Sequence, residues 1–455
     1  MPKRKAPLSI PPNAASAASY TDPSGTLPNK RSRRSQPDPQ PTTRDLPASP
    51  SAAVTNGRGF KQNSYKGDDG DGGKEEAQFD HSRPEERSGI VDRRFYPSEM
   101  SNERCAMYNA NEIARPMECL NTILESTKGA RNSIKLSTQQ SDAVVHWFKR
   151  DLRVGDNTGL SLAGKLAREK GVGVIGVWIL SPQDWEAHLV SPAKCDFELR
   201  SVEVLRRELG ELDIPLHIEV VEDRKDVPKV LVQRCEGWGV KTVFCNIEYE
   251  IDELRRETKL VQMMLDRGIA FEPQHDDCVV PPGSLRTGAG KQYAVYTPWY
   301  RAWVAHLHAH PDLLQERPPP PKNPAGFRAK FEHLFDAKIP GTPASKQLTA
   351  EQKDRFAHLY PAGEAAALDR LLHFLTEKIG RYAATRNFPS QQSTASVSMH
   401  HAAGTLAART SVRSARDVNS TKKLDAGNEG IKGWIGEVAW RDFYRHVLVN
   451  WPYIW

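Results

Sequence analysis

From residue 143 onward the chain alternates short apolar, β-rich runs with amphipathic stretches. The runs are 144–148, 173–180, 216–221, 240–245 and 269–272, and the segments 159–169, 195–212, 227–235 and 253–266 between them carry helical periodicity. Strands alternating with helical stretches of about 10–15 residues describe βαβ units with right-handed crossovers. The pattern predicts a doubly wound α/β domain on a parallel five-stranded, Rossmann-like sheet, over residues 141–276. Such sheets bind ligands beyond the carboxyl ends of their strands, which directs attention to the loops after Phe148, Leu180 and Cys245.

The β-run pattern stops there. Residues 277–345 read as a connector, with Pro281-Pro282 and a semi-rigid proline run at 317–322. Helical periodicity at 363–382 and 431–449 makes 346–455 the start of an all-helical domain. Trp434, Trp440, Phe443, Tyr444, Trp451, Tyr453 and Trp455 crowd its last stretch, which predicts an exposed aromatic face. Upstream, 1–90 is rich in Pro, Ser, Ala and Gly and lacks the apolar density to offset ordering entropy. Apolar positions in 91–140 are scattered, with a short helix suggested near 112–125. The expectation for 1–140 is a disordered basic tail.

Charge sharpens this division. The net charge of +6 resides in residues 1–44, where eight Lys/Arg face only Asp22 and Asp38, so the rest is balanced. Within that remainder, 378–455 carries eleven Lys/Arg against five Asp/Glu, leaving 45–377 acidic. A basic segment joined to an acidic body points to a polyanion-binding face. The clusters Lys3-Arg4-Lys5 and Lys30-Arg31-Ser32-Arg33-Arg34 have the composition of nuclear-import signals, so the expected location is the nucleus. Six cysteines without a CxxC pair argue against a zinc framework and for reduced thiols. No apolar run reaches membrane-spanning length, and the N-terminus has no signal-peptide apolar region, so no membrane partner is expected.

Four short segments invite a chemical reading. Gly288-Ala-Gly290-Lys291 is followed by Gln292, not Ser or Thr, and no strand leads into it, so it is read as a turn and not a phosphate loop. His400 and His401 are adjacent, and adjacent side chains diverge, so packing is expected over metal binding. Ser393 to Ser398 places hydroxyls and backbone N–H groups before a stretch, 399–408, that reads as helical. This arrangement suits a diphosphate, although a plain helix cap gives the same pattern. Glu437, Trp440, Arg441 and Tyr444 fall at i, i+3, i+4 and i+7 of a helix. Together they offer an acceptor, a flat ring and a cation, the groups that receive a nucleobase turned out of a duplex. An amphipathic core helix with one Glu–Arg pair explains the spacing equally well.

These motifs join into a family pattern. Residues 145–157 (VHWFKRDLRVGDN), 183–188 (QDWEAH), 249–253 (YEIDE), 296–303 (YTPWYRAW) and 434–444 (WIGEVAWRDFY) resemble, in order, the signatures of the photolyase/cryptochrome family. The similarity runs from about residue 143 to the C-terminus and is strongest to fungal class I cyclobutane pyrimidine dimer photolyases.

The resemblance implies FAD in the helical domain, held by Tyr382, Thr394, Ala395, Ser396, Val397 and Ser398, with Trp434, Glu437, Arg441 and Tyr444 completing that side. The family loop often reads Thr-Ser-Arg-Leu-Ser, so Ala395 and Ser396 depart from it. It implies an antenna pterin, methenyltetrahydrofolate, at His188, Asp252 and Glu253. It also implies a damaged-DNA partner engaged by Arg386, Glu437, Trp440 and Arg441, of which the last three serve catalysis, and a monomer.

The implied activity is light-driven repair of pyrimidine dimers by a carbon–carbon lyase. The alternatives are a cryptochrome-like blue-light photoreceptor and a non-enzymatic nuclear binding remnant, and a mitochondrial form is compatible with the family. Family signatures expected further downstream do not occur before Trp455. The flavin domain is therefore expected to be incomplete, and the chain as written is expected not to repair DNA.

Overall fold

Strand 143–148 is buried on both faces, as its unbroken apolar run requires in a parallel sheet covered by helices on each side. The structure, a computed structural model, describes residues 101–137, 141–388 and 390–454. The import-signal clusters lie outside them. In chain order the elements begin with α1 (Asn102–Ala110) and α2 (Pro116–Leu136). The α/β unit follows: β1 (Ala143–Phe148), α3 (Thr158–Lys170), β2 (Gly173–Leu180), α4 (Pro182–Ala187), α5 (Pro192–Glu211), β3 (Leu216–Val220), α6 (Val227–Gly237), β4 (Thr242–Asn246), α7 (Ile251–Leu265) and β5 (Ala270–Gln274). The helical part holds α8 (Tyr296–Ala309), α9 (Phe327–Lys330), α10 (Ala350–Leu359), α11 (Glu364–His373), α12 (Ile379–Thr385), α13 (Ser398–Ala403), α14 (Ala408–Asp417) and α15 (Glu429–Asn450).

The sheet order is β3-β2-β1-β4-β5, with every pairing parallel. This is the doubly wound domain that the apolar runs predicted. Local signals set the helix bounds: Asn157 caps α3 by accepting from the Leu160 N–H, and Gly171 ends it in a left-handed conformation. Two apolar clusters cover the two sheet faces, and a third, around Trp299, Trp303, Phe374, Ile435 and Phe443, forms the core of the helical part.

Four expectations change. Residues 102–136, assigned to a disordered tail with only a short helix suggested near 112–125, form α1 and α2. Met117 and Leu120 are buried against the sheet layer, and the buried Arg131 bonds Glu272 at 2.6 Å. The connector contains α8, whose Trp299 and Trp303 are fully buried in the helical core. The stretch 399–408 is not one helix, because α13 ends at Gly404 and α14 starts at Ala408. The late aromatic residues are not an exposed face: Trp434 and Phe443 are buried, Trp440 is half-buried, and Tyr444 is the exposed member among the described aromatics of α15.

A buried ionic joint ties the sheet to the helical layer. The Asp156 carboxylate takes Arg409 at 2.7 Å and Arg413 at 3.1 Å, while Asp276 pairs with Arg153 and Arg409 and accepts from the Thr158 N–H at 3.0 Å. Burial opposes ionisation of both acids. The surrounding cations outweigh it and hold both carboxyls below the usual range.

Candidate functional site

Helix α15 lies at the boundary of the two parts, so its flanks face different surroundings. One flank borders an open cleft of about 410 Å³ lined by Tyr296, Tyr300, Arg386, Glu437 and Trp440, with Gly433 and Gly436 adding backbone but no side chain to its helical wall. Arg386, at the end of α12, pairs with Glu437 across this cleft. The Trp440 indole lies flat against the Tyr296 ring, with centroids 3.5 Å apart and planes 8° from parallel. Tyr444 stacks on Trp440 at 5.6 Å. The sequence-derived set of Arg386, Glu437 and Trp440 therefore converges on one cleft.

Arg441 does not join them. Successive helix residues are about 100° apart, so Trp440 and Arg441 flank Glu437 on opposite sides. Arg441 points to the sheet layer, where it pairs with Asp277 and donates to the Asp277 carbonyl at 2.5 Å. Arg445 continues this seam to Asp277 at 3.3 Å and Glu250 at 2.8 Å.

Tyr382 is buried beside Phe374 and Trp434. In the loop after it, Ala395 and Val397 are buried, whereas Thr394, Ser396 and Ser398 are exposed, and Ser396 holds a left-handed φ of 50°. Alternation thus turns three hydroxyl residues outward. The buried Trp434 Nε1 donor nearby has no hydrogen-bond partner. An outward hydroxyl row and an orphaned donor are features that a dinucleotide with its phosphates fits.

His188 and Glu253 also meet as expected, at the carboxyl ends of the strands, with Nε2 3.0 Å from Oε1. Burial works against the Glu253 charge, but the hydrogen bond and charge of His188, followed by Arg256 and Arg150, hold its carboxyl well below the usual range. Its Oε2 is buried without a hydrogen-bond partner. Asp252 instead bonds Arg224 at 3.0 Å, and burial, then Glu253, raises its carboxyl. The orphaned acceptor suits an amino-pyrimidine edge. The room does not, because the cavity measures about 70 Å³ where small-molecule sites occupy roughly 300–1,000 Å³. Asp184, His188 and Glu253 place ligand atoms within 4.8 Å of one another, yet Arg224 already stands 2.7 Å from Asp184 as counter-charge.

The remaining motifs fall where ordinary structure needs them. Thr287 and Lys291 close a turn around Gly290, and His400 and His401 bond Thr405 and Ser411 separately. Sequence reasoning missed Tyr296 and Tyr300 as cleft residues. Their i, i+4 spacing was visible, but they were assigned to a connector.

With this geometry in place, comparison with known proteins defines the class. The chain belongs to the DNA photolyase family, whose profile matches residues 144–324. It is 50% identical over 373 residues to the deoxyribodipyrimidine photo-lyase of Neurospora crassa, covering 81% of this chain and 60% of that protein. It is 29% identical over 395 residues to the mitochondrial deoxyribodipyrimidine photo-lyase of Saccharomyces cerevisiae, covering 80% and 66%. A bacterial class III photolyase from Agrobacterium tumefaciens shares the fold, with TM-score 0.55 and 23% identity over 70% of this chain and 61% of that one. The chain spans about 60% of the length of the Neurospora relative.

Proposed function

We propose that this chain carries the lesion-recognition side of light-driven repair of cyclobutane pyrimidine dimers in nuclear DNA, a reaction with FAD as its cofactor. The observation that carries the reading is the convergence of Glu437, Trp440 and Arg386 on one open cleft, in a chain whose named relatives are photo-lyases. Tyr382, Thr394, Ser396, Ser398 and the Trp434 Nε1 donor would hold the flavin dinucleotide. When bound, reduced flavin supplies an electron on excitation and recovers it after the cyclobutane ring opens.

The protein's own part is recognition and electrostatics. Glu437 accepts from a pyrimidine edge, and Arg386, now paired with it, is placed to turn toward phosphate. Trp440 offers a stacking surface for a base turned out of the duplex.

The test is binding of the chain to a duplex carrying one thymine dimer. Trp440→Ala should weaken it by about 1–3 kcal/mol, the usual worth of one base–aromatic stack. An unaltered dimer affinity would refute the reading.

A further inference from the structure

We infer that Tyr296 is the positioning residue for Trp440, fixing the indole plane from behind so that the stacking surface is set before DNA arrives. The inference rests on the lesion-binding reading above and adds to it a residue from a different helix.

Tyr296 grips residue 440 at two points. Its ring makes the tightest ring contact among the described residues, 3.5 Å and 8° from parallel with the Trp440 indole. Its hydroxyl donates to the Gly436 carbonyl at 2.9 Å. In an α-helix that carbonyl also accepts the amide of residue 440, four positions on. Ring and backbone of Trp440 are thus tied to the same side chain.

Tyr296 is itself wedged. Tyr300 stacks on it at 5.5 Å and 22°, Phe443 meets it edge-on at 5.6 Å, and Trp299 lies 6.0 Å away. Burial, then Tyr300 and Glu437, push its hydroxyl above the usual phenol range, so it remains a donor at neutral pH.

Tyr444, 61% exposed, lies 5.6 Å from the indole with a 27° tilt, so of the two rings stacked on Trp440 only Tyr296 is half-buried and held by other rings. Tyr296 therefore defines the plane that a base entering the cleft meets.

A packing role alone predicts something else. A ring serving only the core would be replaceable by Leu without touching lesion selectivity. The test measures fluorescence anisotropy with a dimer-bearing duplex and the same duplex undamaged, for the unaltered chain, Tyr296→Leu, Tyr296→Phe, Trp440→Ala and the double variant Tyr296→Leu/Trp440→Ala.

Tyr296→Leu should lower selectivity for the dimer by about 2- to 10-fold, the range of one aromatic pair, with Tyr296→Phe between it and the unaltered chain. In the Trp440→Ala background the same change should have no further effect, because residues acting through one another are not additive. Unchanged selectivity in Tyr296→Leu, or an equal loss in both backgrounds, overturns the inference while leaving the lesion site standing. Equal dimer affinity of Trp440→Ala and the unaltered chain overturns the site reading and the inference with it. Should Tyr296→Leu lack the native circular dichroism spectrum, Tyr296→Phe in the two backgrounds carries the test with the same criteria.

Discussion

Replacing Arg441 with Gln separates a structural cation from a DNA ligand. In the structure Arg441 and Asp277 are each 22% exposed, and Asp277 keeps Arg445 at 3.3 Å when Arg441 is lost. An exposed pair contributes about 0–1 kcal/mol, and breaking a fully buried one costs about 3–5 kcal/mol. Partial exposure and the second partner place this case at about 1–2 kcal/mol. With roughly 350 ordered residues at about 2.1 cal/mol/K each, that is a fall of about 1.5–3 °C in Tm. Scanning calorimetry reads the fall, and a salt titration of DNA binding reads the second half of the argument. A phosphate contact would contribute about 0.9 to the slope of log K against log salt, whereas Arg441→Gln should leave the slope unchanged. An unshifted Tm together with a slope reduced by about one would show that Arg441 leaves Asp277 and holds DNA.

Acid should destabilise the fold well above the carboxylate range. Burial pushes His275, His400 and His446 down to about 4 and His401 to about 3. The unfolded chain takes up protons near 6.5 that the folded chain refuses, so stability falls as pH drops from about 6.5 to 4, by up to about 1.4 kcal/mol per pH unit for each histidine. Urea midpoints at pH 7.5, 6 and 5 check this, and a flat profile would contradict it. Asp442, raised by burial to about 7, works in the opposite sense, since its folded form holds a proton between about 4 and 7 that the unfolded chain has lost. Asp442→Asn should therefore steepen the acid loss. Gly404→Ala should not give soluble folded protein, because φ is +72° and a Cβ would stand 1.9 Å from the Arg150 carbonyl oxygen. Normal expression and an unchanged melt would refute that.

The sheet was legible because alternation is local. All five strands lie within two residues of their apolar runs, and the crossover rule gives their common direction. Helix α2 was legible only in its first half, near 116–125, since its inward face continues with the polar Thr127 and Arg131 in place of apolar residues. Its anchor, Arg131 on Glu272, joins residues 141 positions apart. The cleft was half legible. Spacing put Glu437, Trp440 and Arg441 on one helix face, but it could not say that the α15 axis divides cleft from sheet between Trp440 and Arg441. His188 and Glu253 were found from family motifs, while their neighbour Arg224, on a different loop, left no signal in spacing.

The clasp between the first and last described helices orders events in time. Arg115 donates to the Asn450 carbonyl at 2.7 Å across 335 residues, and the Tyr453 hydroxyl bonds Asn109 at 2.6 Å. At ribosomal rates of about 5–20 residues per second, α1 and α2 leave the tunnel roughly 20–70 s before their partner on α15 exists. Helix α2 can dock earlier on α7 and β5, as soon as those emerge. Strand β5 and α7 thus act as a holding berth during synthesis, and closure of Arg115 onto Asn450 marks the moment when α15 is seated.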